Sequence, residues 1–286
     1  MNRTSTLLLA IFLGACGQHA DEQHTSEHAT NTTEPMTEVA EPMTDVAEPM
    51  TEAAEPTISI YAAAIANDAR PDTDRARDAA RKPAEVLEFF GIEPGMTVLD
   101  LFSGGGYYTE LIAHVVGPEG RVHAHTNDAY IAYVSDEFEQ RYLDGRLANA
   151  EVLMAENNEL SLEPGTYDAV MLVLTFHDFS VADAENGWPE IDVPALLAEL
   201  NEGLKPGGIV GVVDHYAAAG SGRETGSTTH RIDPAIVIEE MTAAGFVLEG
   251  ESDALRNPAD DYEKNIFDGS VIGKTDRFVM RFRKPE

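Results

Sequence analysis

Two short runs of histidine and aspartate each come directly after a strongly apolar stretch of the chain. His177-Asp178 follows one apolar run, and Asp214-His215 follows the next. Imidazole exchanges protons near neutral pH, and a neighbouring carboxylate can orient it for that task. The sequence therefore predicts His177, Asp178 and His215 as catalytic residues, with either histidine as a general base.

The same three side chains have a second chemical interpretation. Two imidazoles and one carboxylate form a known ligand set for a transition metal. The spacing of His177, Asp178 and His215 does not fix their geometry, so a metal-dependent hydrolase or oxygenase is the weaker alternative and no resident metal is predicted. Three more histidines lie near the N-terminus and are interpreted as scattered linker residues rather than ligands. They are His19, His24 and His28.

A glycine-rich turn earlier in the chain predicts a different kind of site. An apolar run that ends at Leu101 leads to Gly104-Gly105-Gly106, and a helix-like run follows. Glycines let the backbone turn sharply and let a ligand approach it, while a helix N-terminus offers unpaired N–H groups. The pattern predicts a site for a nucleotide-type ligand, with Asp100 accepting hydrogen bonds from ligand hydroxyls or an amine.

Strands and helices that position these groups alternate through the chain after residue 58. The predicted strands begin near Val98, Gly120, Glu151, Tyr167, Ile209, Phe246 and Arg277. The alternation predicts an α/β fold, namely a doubly wound, mostly parallel, seven-stranded sheet with extra N-terminal helices. Ligands of such folds bind beyond the C-terminal ends of the strands, where both motifs stand. The segment from Ala217 to Ser227 is predicted to be a mobile loop beside that edge.

Composition limits the partners that the chain can have. The 286 residues include 51 acidic and 19 basic side chains, which give a formal net charge of −32. Phosphate backbones repel such a surface, so nucleic acid is excluded as a partner and a small-molecule substrate is expected. There is one cysteine, Cys16, so an intrachain disulfide is excluded as well.

The N-terminal part divides into two predicted segments before the folded domain at 58–286. Residues 1–15 contain a short apolar run and end in Leu13-Gly14-Ala15 before Cys16, which resembles the lipobox of bacterial lipoproteins. Residues 16–57 hold three near-copies of an acidic, proline-bearing heptad and are predicted to be a disordered tether. A plain secretory signal peptide remains the alternative to the lipoprotein signal.

The lipobox resemblance implies a membrane attachment. Cys16 would carry the lipid and become the mature N-terminus, and Gly17 after it is typical of outer-membrane rather than inner-membrane lipoproteins. The expected location is therefore the cell envelope, on the periplasmic side of the outer membrane. The patterns specify no oligomeric state.

The chain also resembles class I S-adenosylmethionine-dependent methyltransferases over about residues 81–283. The resemblance rests on Val98 to Gly106 and on the Leu-Lys-Pro-Gly-Gly segment within Leu197 to Asp214. Phe176-His177-Asp178 and the run from His230 to Pro234 further resemble a subfamily of exported methyltransferase-like proteins. The resemblance implies a Rossmann-like methyltransferase fold and S-adenosylmethionine as cofactor. The cofactor-binding residues that it implies are Asp100, Phe102, Ser103, Gly104, Gly105, Gly106, Tyr107, Asn127, Glu156, Asn157 and Thr175.

Three of these positions depart from the common family pattern. Phe102 replaces a glycine of the first motif and is expected to restrict the turn and crowd the ligand. Thr126 or Asn127 stands where an acidic residue commonly holds the ribose hydroxyls, and the neutral amide of Asn127 accepts such bonds more weakly than a carboxylate. Glu156 stands in the place of the acidic residue that contacts the adenine amine.

Three functions therefore compete. The favoured one is an S-adenosylmethionine-dependent methyltransferase that acts on a small molecule or an envelope component. The second is a catalytically inactive binding or sensing lipoprotein with the same fold, because the methyl donor is made in the cytoplasm. The third is the metal-dependent enzyme that uses His177, Asp178 and His215.

Overall fold

A computed structural model of the protein describes residues 58–143 and 145–286. The predicted signal peptide, Cys16 and the acidic tether lie outside the described residues. Among the residues that are described, no helix is long and apolar enough to cross a bilayer.

A seven-stranded sheet forms the centre of the described part. Its strands are β1 (Thr97–Leu101), β2 (Arg121–Thr126), β3 (Ala150–Met154), β4 (Tyr167–Val173), β5 (Leu204–His215), β6 (Val247–Ser252) and β7 (Arg277–Arg283). They lie in the order β3-β2-β1-β4-β5-β7-β6. The first five strands pair in parallel, and β7 runs antiparallel between β5 and β6. The predicted doubly wound, mostly parallel sheet is confirmed.

Eight α-helices flank this sheet in the described part of the chain. They are α1 (Ile60–Ile65), α2 (Asp72–Arg81), α3 (Pro83–Phe90), α4 (Tyr107–Val116), α5 (Asp128–Phe138), α6 (Val193–Gly203), α7 (Glu224–Thr229) and α8 (Pro234–Ala243). A π-helical turn, Glu139–Leu143, continues α5, and a 3₁₀ turn, Phe176–Ser180, follows β4. The side chain of Asp192 accepts a hydrogen bond from the N–H of Ala195 and so caps the start of α6.

The sheet separates two apolar layers, and β4 contributes to both. Val170 and Leu172 pack into one core, while Ala169 and Met171 pack into the other, and all four are fully buried. Side chains alternate across a strand, so a strand covered on both faces must be apolar throughout. This explains the apolar run that leads to the site.

The segment predicted as a mobile loop is in part a packed helix. From Glu224 onward it forms α7, which lies against the 3₁₀ turn after β4. A side chain at Gly226 would overlap the carbonyl oxygen of His177, so only glycine permits this approach. The loop prediction is wrong from Glu224 onward because the contact with the 3₁₀ turn stabilises a weak helical sequence.

Candidate active site

The glycine turn joins the end of β1 to the start of α4. Gly104 and Gly106 have φ values of 55° and 77°, in the left-handed region that favours glycine. The N–H of Gly106 donates to the carbonyl of Ser103 at 2.9 Å and closes the turn. A Cβ atom placed on Gly104 would meet nothing within 4 Å. The Gly104 side of the turn is therefore open to a ligand.

The other half of the turn is already covered by protein. A Cβ on Gly105 would overlap Glu137, and one on Gly106 would overlap Arg141 and Tyr142. These three side chains come from the end of α5 and the π-helical turn. The sequence placed the ligand over all three glycines, whereas the structure leaves only the Gly104 side open.

Arg141 is held over the glycine turn by buried contacts. Its guanidinium donates to the carbonyl of Gly105, pairs with Glu110 and lies 2.9 Å from an oxygen of Asp74. The side chains of Arg141, Glu110 and Asp74 are all at most 3% exposed. The glycine turn, α4 and α2 are therefore joined by one buried ionic network.

Asp100 lies beneath the turn near the end of β1. Its carboxylate accepts a hydrogen bond from Thr109 Oγ1 at 2.6 Å, and only 3% of the residue is exposed. Burial raises the pKa of Asp100 to about 6, although the hydrogen bonds from Thr109 oppose the shift. A cationic group on a ligand would favour the ionised form.

Phe102 does not fill the open space above the turn. It adopts the left-handed conformation, with φ of 53°, and turns its ring into the core. The ring stacks on Tyr130 at 5.0 Å between centroids and lies edge-on to His125 at 5.1 Å. The ring of Phe102 therefore packs among core side chains while its backbone takes the left-handed conformation that glycine adopts most easily, and crowding of the ligand stays a prediction.

His125 ties three strand ends together at this edge. Its Nδ1 accepts from the N–H of Phe102 at 3.3 Å, and its Nε2 donates to the carbonyl of Ala155 at 3.1 Å. The carbonyl of His125 accepts from the N–H of Ser103 at 2.9 Å. Burial lowers the pKa of His125 to about 4, so the ring stays neutral and keeps both roles.

Three other strand ends carry polar atoms that are buried without a partner. Thr126 Oγ1, Glu156 Oε2 and Thr175 Oγ1 have no hydrogen-bond partner among the described residues. They stand at the C-terminal ends of β2, β3 and β4, the strands nearest β1 at the ligand edge. Buried polar groups are normally paired, so these oxygens indicate a polar ligand.

Asn127, Asn157 and Tyr107 make contacts within the protein, whereas the hydroxyl of Ser103 is buried without a hydrogen-bond partner among the described residues. Asn127 accepts from the N–H of Tyr130 and donates to Asn157 at 3.2 Å, and both amides are buried. Tyr107 faces the N-terminal helices, where its hydroxyl donates to Asp78 at 2.6 Å. Tyr107 therefore stabilises α2 against α4 on the far side of the turn.

His177 lies between two carboxylates just after β4. Its Nδ1 is 2.7 Å from Asp214 at the end of β5, and its Nε2 is 3.2 Å from Asp178. Burial disfavours the charged ring, but the attraction of Asp214 and Asp178 prevails and raises the pKa of His177 to about 10. A ring that is already protonated near neutral pH cannot accept a proton, so the predicted general-base role of His177 is not supported.

Asp178 is shared by three side chains. Its Oδ2 accepts from the hydroxyl of Tyr130 at 2.6 Å, while its Oδ1 faces His177 and also His230, whose Nδ1 is 3.7 Å away. Burial opposes ionisation of this carboxyl, but the histidine partners prevail and hold its pKa well below the usual range.

His215 is less central than the sequence indicated. Its ring centroid lies 6.1 Å from that of His177, and its Nδ1 is bonded to the hydroxyl of Thr275 at 2.7 Å. Burial and the positive charge of His177 keep the pKa of His215 well below its usual value. The two histidines that meet around Asp178 are therefore His177 and His230, not His177 and His215.

Backbone strain gathers around the same cleft edge. Phe102, Leu174 and His230 have positive φ values of 53°, 62° and 55° although none is glycine. They follow β1, β4 and α7, next to the groups described above. Such strain costs on the order of 1–3 kcal/mol per residue and is typical of functional sites.

Sequence reasoning did not assign roles to three residues of the site, and it named His230 only as a secondary candidate. The three residues are Asp214, Tyr130 and Arg141. Asp214 had a usable signal, since it is a carboxylate at the end of a predicted central strand. The others are placed by long-range packing, for which the local sequence carries no signal.

The residues at this edge fit an adenosine-type cofactor on two observations. The Gly104 side of the turn is open, and the unpartnered oxygens of Thr126, Glu156 and Thr175 stand at the C-terminal ends of β2, β3 and β4. Asp100 lies below the same turn as a buried acceptor. Asp100, Gly104, Glu156 and Thr175 are among the eleven predicted cofactor residues, whereas Thr126 is not.

Comparison with known proteins agrees with this geometry. The model of the protein-L-isoaspartate(D-aspartate) O-methyltransferase family matches residues 72–139. A protein-L-isoaspartate O-methyltransferase of Triticum aestivum is 30% identical over 179 residues, which is 58% of this chain and 67% of that enzyme. The ubiquinone/menaquinone biosynthesis C-methyltransferase UbiE of Teredinibacter turnerae is 29% identical over 124 residues, or 43% of this chain. That match spans 44% of the UbiE sequence, less than half of its length.

Solved structures share the fold. A S-adenosylmethionine-dependent methyltransferase of Aquifex aeolicus aligns with a TM-score of 0.50 and 24% identity, covering 75% of this chain and 98% of its own. Phosphoethanolamine N-methyltransferase 2 of Haemonchus contortus, solved with S-adenosyl-L-methionine, aligns with a TM-score of 0.52 and 15% identity, covering 80% of this chain and 61% of its own. We conclude from the relative in Triticum aestivum, from the fold and from the glycine turn that the chain belongs to the class I S-adenosylmethionine-dependent methyltransferases.

Proposed function

We propose that the protein transfers a methyl group from S-adenosylmethionine to a small molecule or a small component of the cell envelope. The observation that carries this proposal is the open face of Gly104 beside the unpartnered oxygens of Thr126, Glu156 and Thr175. Buried polar groups are normally paired, so these oxygens are available to a bound polar ligand.

The cofactor, when bound, supplies an electrophilic methyl group. The chain supplies the rest of the site. Gly104 leaves room for the ligand, Asp100 accepts from its ammonium or hydroxyl groups, and Glu156 accepts from an amine. Thr126 and Thr175 offer hydroxyls at the neighbouring strand ends. Methyl transfer requires in-line approach of the acceptor, so these contacts serve chiefly to orient the donor.

His177 has a positioning role in this proposal. It donates to Asp214 and faces Asp178, and it thereby fixes the ends of β4 and β5 relative to each other. Because His177 keeps its proton near neutral pH, the acceptor is either nucleophilic without a base or loses its proton elsewhere.

We propose that the acceptor approaches through a cavity beside the 3₁₀ turn, and the charge of this cavity favours a neutral or cationic acceptor. A cavity of about 1150 Å³ opens beside the end of the 3₁₀ turn and is bounded by α6, α7 and α8. Four carboxylates and one guanidinium line it, from Glu190, Asp192, Glu224, Glu240 and Arg223. Carboxylate and phosphate substrates are repelled by such a surface, and an amine or an uncharged hydroxyl is tolerated.

The location is part of the proposal. We infer that Cys16 is acylated and holds the domain at the outer membrane, on the grounds of the lipobox around the only cysteine. Several acyl chains on one residue give firm attachment, since each buried methylene adds roughly 0.8 kcal/mol. A periplasmic location also places small envelope components within reach.

Incubation of the full-length protein with methyl-labelled S-adenosylmethionine and envelope extract tests the activity. The expected result is label in a small molecule or lipid fraction, lost when Thr175 and Glu156 are both replaced by alanine. A L-isoaspartyl peptide serves as an anionic acceptor and is expected to stay unlabelled. Binding of the donor without transfer to any fraction would favour the sensing protein, and no binding would reject the proposal.

A further inference from the structure

His177, Asp178 and His230 form a compact group at the end of β4. Their ligand atoms, one from each residue, all lie within 4.8 Å of one another. Asp178 Oδ1 is 3.2 Å from His177 Nε2 and 3.7 Å from His230 Nδ1. We propose that this group is a site for a divalent transition metal of the zinc and iron(II) class.

The distances suit that class of ion. Two ligand atoms bound at about 2.1 Å from a metal stand about 3.0–3.5 Å apart for bond angles of about 90° to 110°. The 3.2 Å separation of His177 from Asp178 falls within this range, the 3.7 Å separation of His230 from Asp178 lies just beyond it, and the ligand atoms of His177 and His230 are within 4.8 Å of each other. Imidazole and carboxylate together suit zinc and iron(II) and lack the thiolate that copper(I) prefers.

The residues around the group already orient its ligands. His177 Nδ1 donates to Asp214 at 2.7 Å, which leaves Nε2 facing Asp178, and Asp214 is itself held by the backbone N–H of His177 at 2.9 Å. The ion would displace the proton that Nε2 carries in the metal-free protein, because only an unprotonated ring nitrogen binds a metal. A metal-binding histidine almost always donates its other N–H to a carboxylate or carbonyl in this way. The hydroxyl of Tyr130 binds Asp178 Oδ2 at 2.6 Å and leaves Oδ1 for the ion.

One side of the group opens to solvent. The exposed fraction of the side chain rises from 3% at His177 to 17% at Asp178 and 29% at His230. Three protein ligands with open positions are typical of a catalytic metal rather than a structural one. The group stands just after β4, near the proposed methyl-transfer site, but the metal site does not depend on that proposal.

The ligand set differs from the one that the sequence indicated. His215 is bonded to Thr275 and lies outside the group, whereas His230 enters it from the end of α7. His230 holds the left-handed conformation, with φ of 55°, and this places its ring edge-on to His177 at 5.4 Å. A strained backbone that aims an imidazole at a carboxylate is consistent with ligation.

The test is calorimetric titration of the full-length chain with Zn²⁺. The N-terminal histidines are first removed as competing ligands by the substitutions His19→Asn, His24→Asn and His28→Asn. We expect this background protein to bind one equivalent of Zn²⁺ and to gain thermal stability from it. Absence of a stoichiometric site in this protein would overturn the proposal.

A matched pair of variants identifies the ligands. His230→Asn removes one imidazole and keeps the backbone, because asparagine tolerates the left-handed conformation. His114→Asn removes a similarly exposed imidazole on α4, outside the group. We expect His230→Asn to weaken Zn²⁺ binding at least tenfold and His114→Asn to leave it unchanged. Equal affinity of the two variants would contradict the assignment.

X-ray absorption of the zinc-loaded background protein keeps the proposal testable if His230→Asn fails to fold. Two imidazole nitrogens and additional oxygen ligands are expected around the ion. A shell made only of oxygens, or one with a single imidazole, would reject the site.

Discussion

Gly104→Ala isolates the contribution of the open turn to ligand binding. The new methyl group would project into space with no protein atom within 4 Å, so it cannot clash with the fold. It can clash with a ligand bound against the turn. Loss of only 1.4 kcal/mol of binding energy weakens affinity tenfold, so we expect at least a tenfold higher Kd for S-adenosylmethionine.

The same substitution also strains the backbone, and Gly95→Ala controls for that effect. Gly95 has φ of 85° and an equally empty surrounding, but it lies in the turn before β1, at the opposite end of the strand. A left-handed alanine costs roughly 1–2 kcal/mol at either position. For a domain of this size each kcal/mol lowers Tm by about 2–4 °C, so both variants should melt about 2–8 °C below wild type.

Thermal melts and calorimetric titrations of the two variants separate these effects. The expected outcome is a similar loss of Tm in both, with weakened binding of S-adenosylmethionine and S-adenosylhomocysteine only in Gly104→Ala. Wild-type affinity in Gly104→Ala would refute the assignment of the open turn. Equal losses of affinity in both variants would show that strain, and not ligand contact, is measured.

Three further predictions concern the cover of the turn, pH and the anchor. Arg141→Gln leaves Glu110 and Asp74 buried with less compensation, and should lower the free energy of unfolding in urea by about 3 kcal/mol; a loss below 1 kcal/mol would contradict the buried network. Burial raises the pKa of Asp100 to about 6. The protonated carboxyl therefore makes its full contribution to the free energy of unfolding below the ordinary pKa of aspartate, and this contribution declines as the pH rises through 6. Asp100→Asn should remove this decline of about 3 kcal/mol, measured from unfolding curves between pH 4 and 7; an unchanged pH dependence would reject the shift. Cys16→Ser should release the protein from membrane fractions, and persistent membrane association of the variant would exclude the lipid anchor.

The sheet and its glycine turn could be predicted because their signals are local. β4 is apolar at successive positions since both of its faces are covered, and Gly104 and Gly106 mark the left-handed turn directly. Asp192 likewise marks the start of α6 by its capping bond. Each of these features is set by neighbours within a few residues in the sequence.

The site depends on contacts that no local pattern encodes. His177 meets Asp214 because β4 and β5 pair with Val173 opposite Val213, a register set by the whole sheet. His230 reaches Asp178 only because α7 packs on the 3₁₀ turn, and α7 itself has few strong helix formers.

The sequence also could not predict that Arg141 packs over the glycine turn, because this contact is equally long-range. Arg141 reaches the turn from 36 positions further along the chain and is stabilised by carboxylates of two other helices. A single arginine in an amphipathic stretch usually faces solvent, so its burial can be recognised only from the assembled structure.

The structure of the protein bound to S-adenosylhomocysteine tests the central claim most directly. The account predicts the adenosine part on the Gly104 side of the turn, with hydrogen bonds to at least two of Thr126, Glu156 and Thr175. A ligand bound elsewhere, with those three oxygens still unpartnered, would contradict it.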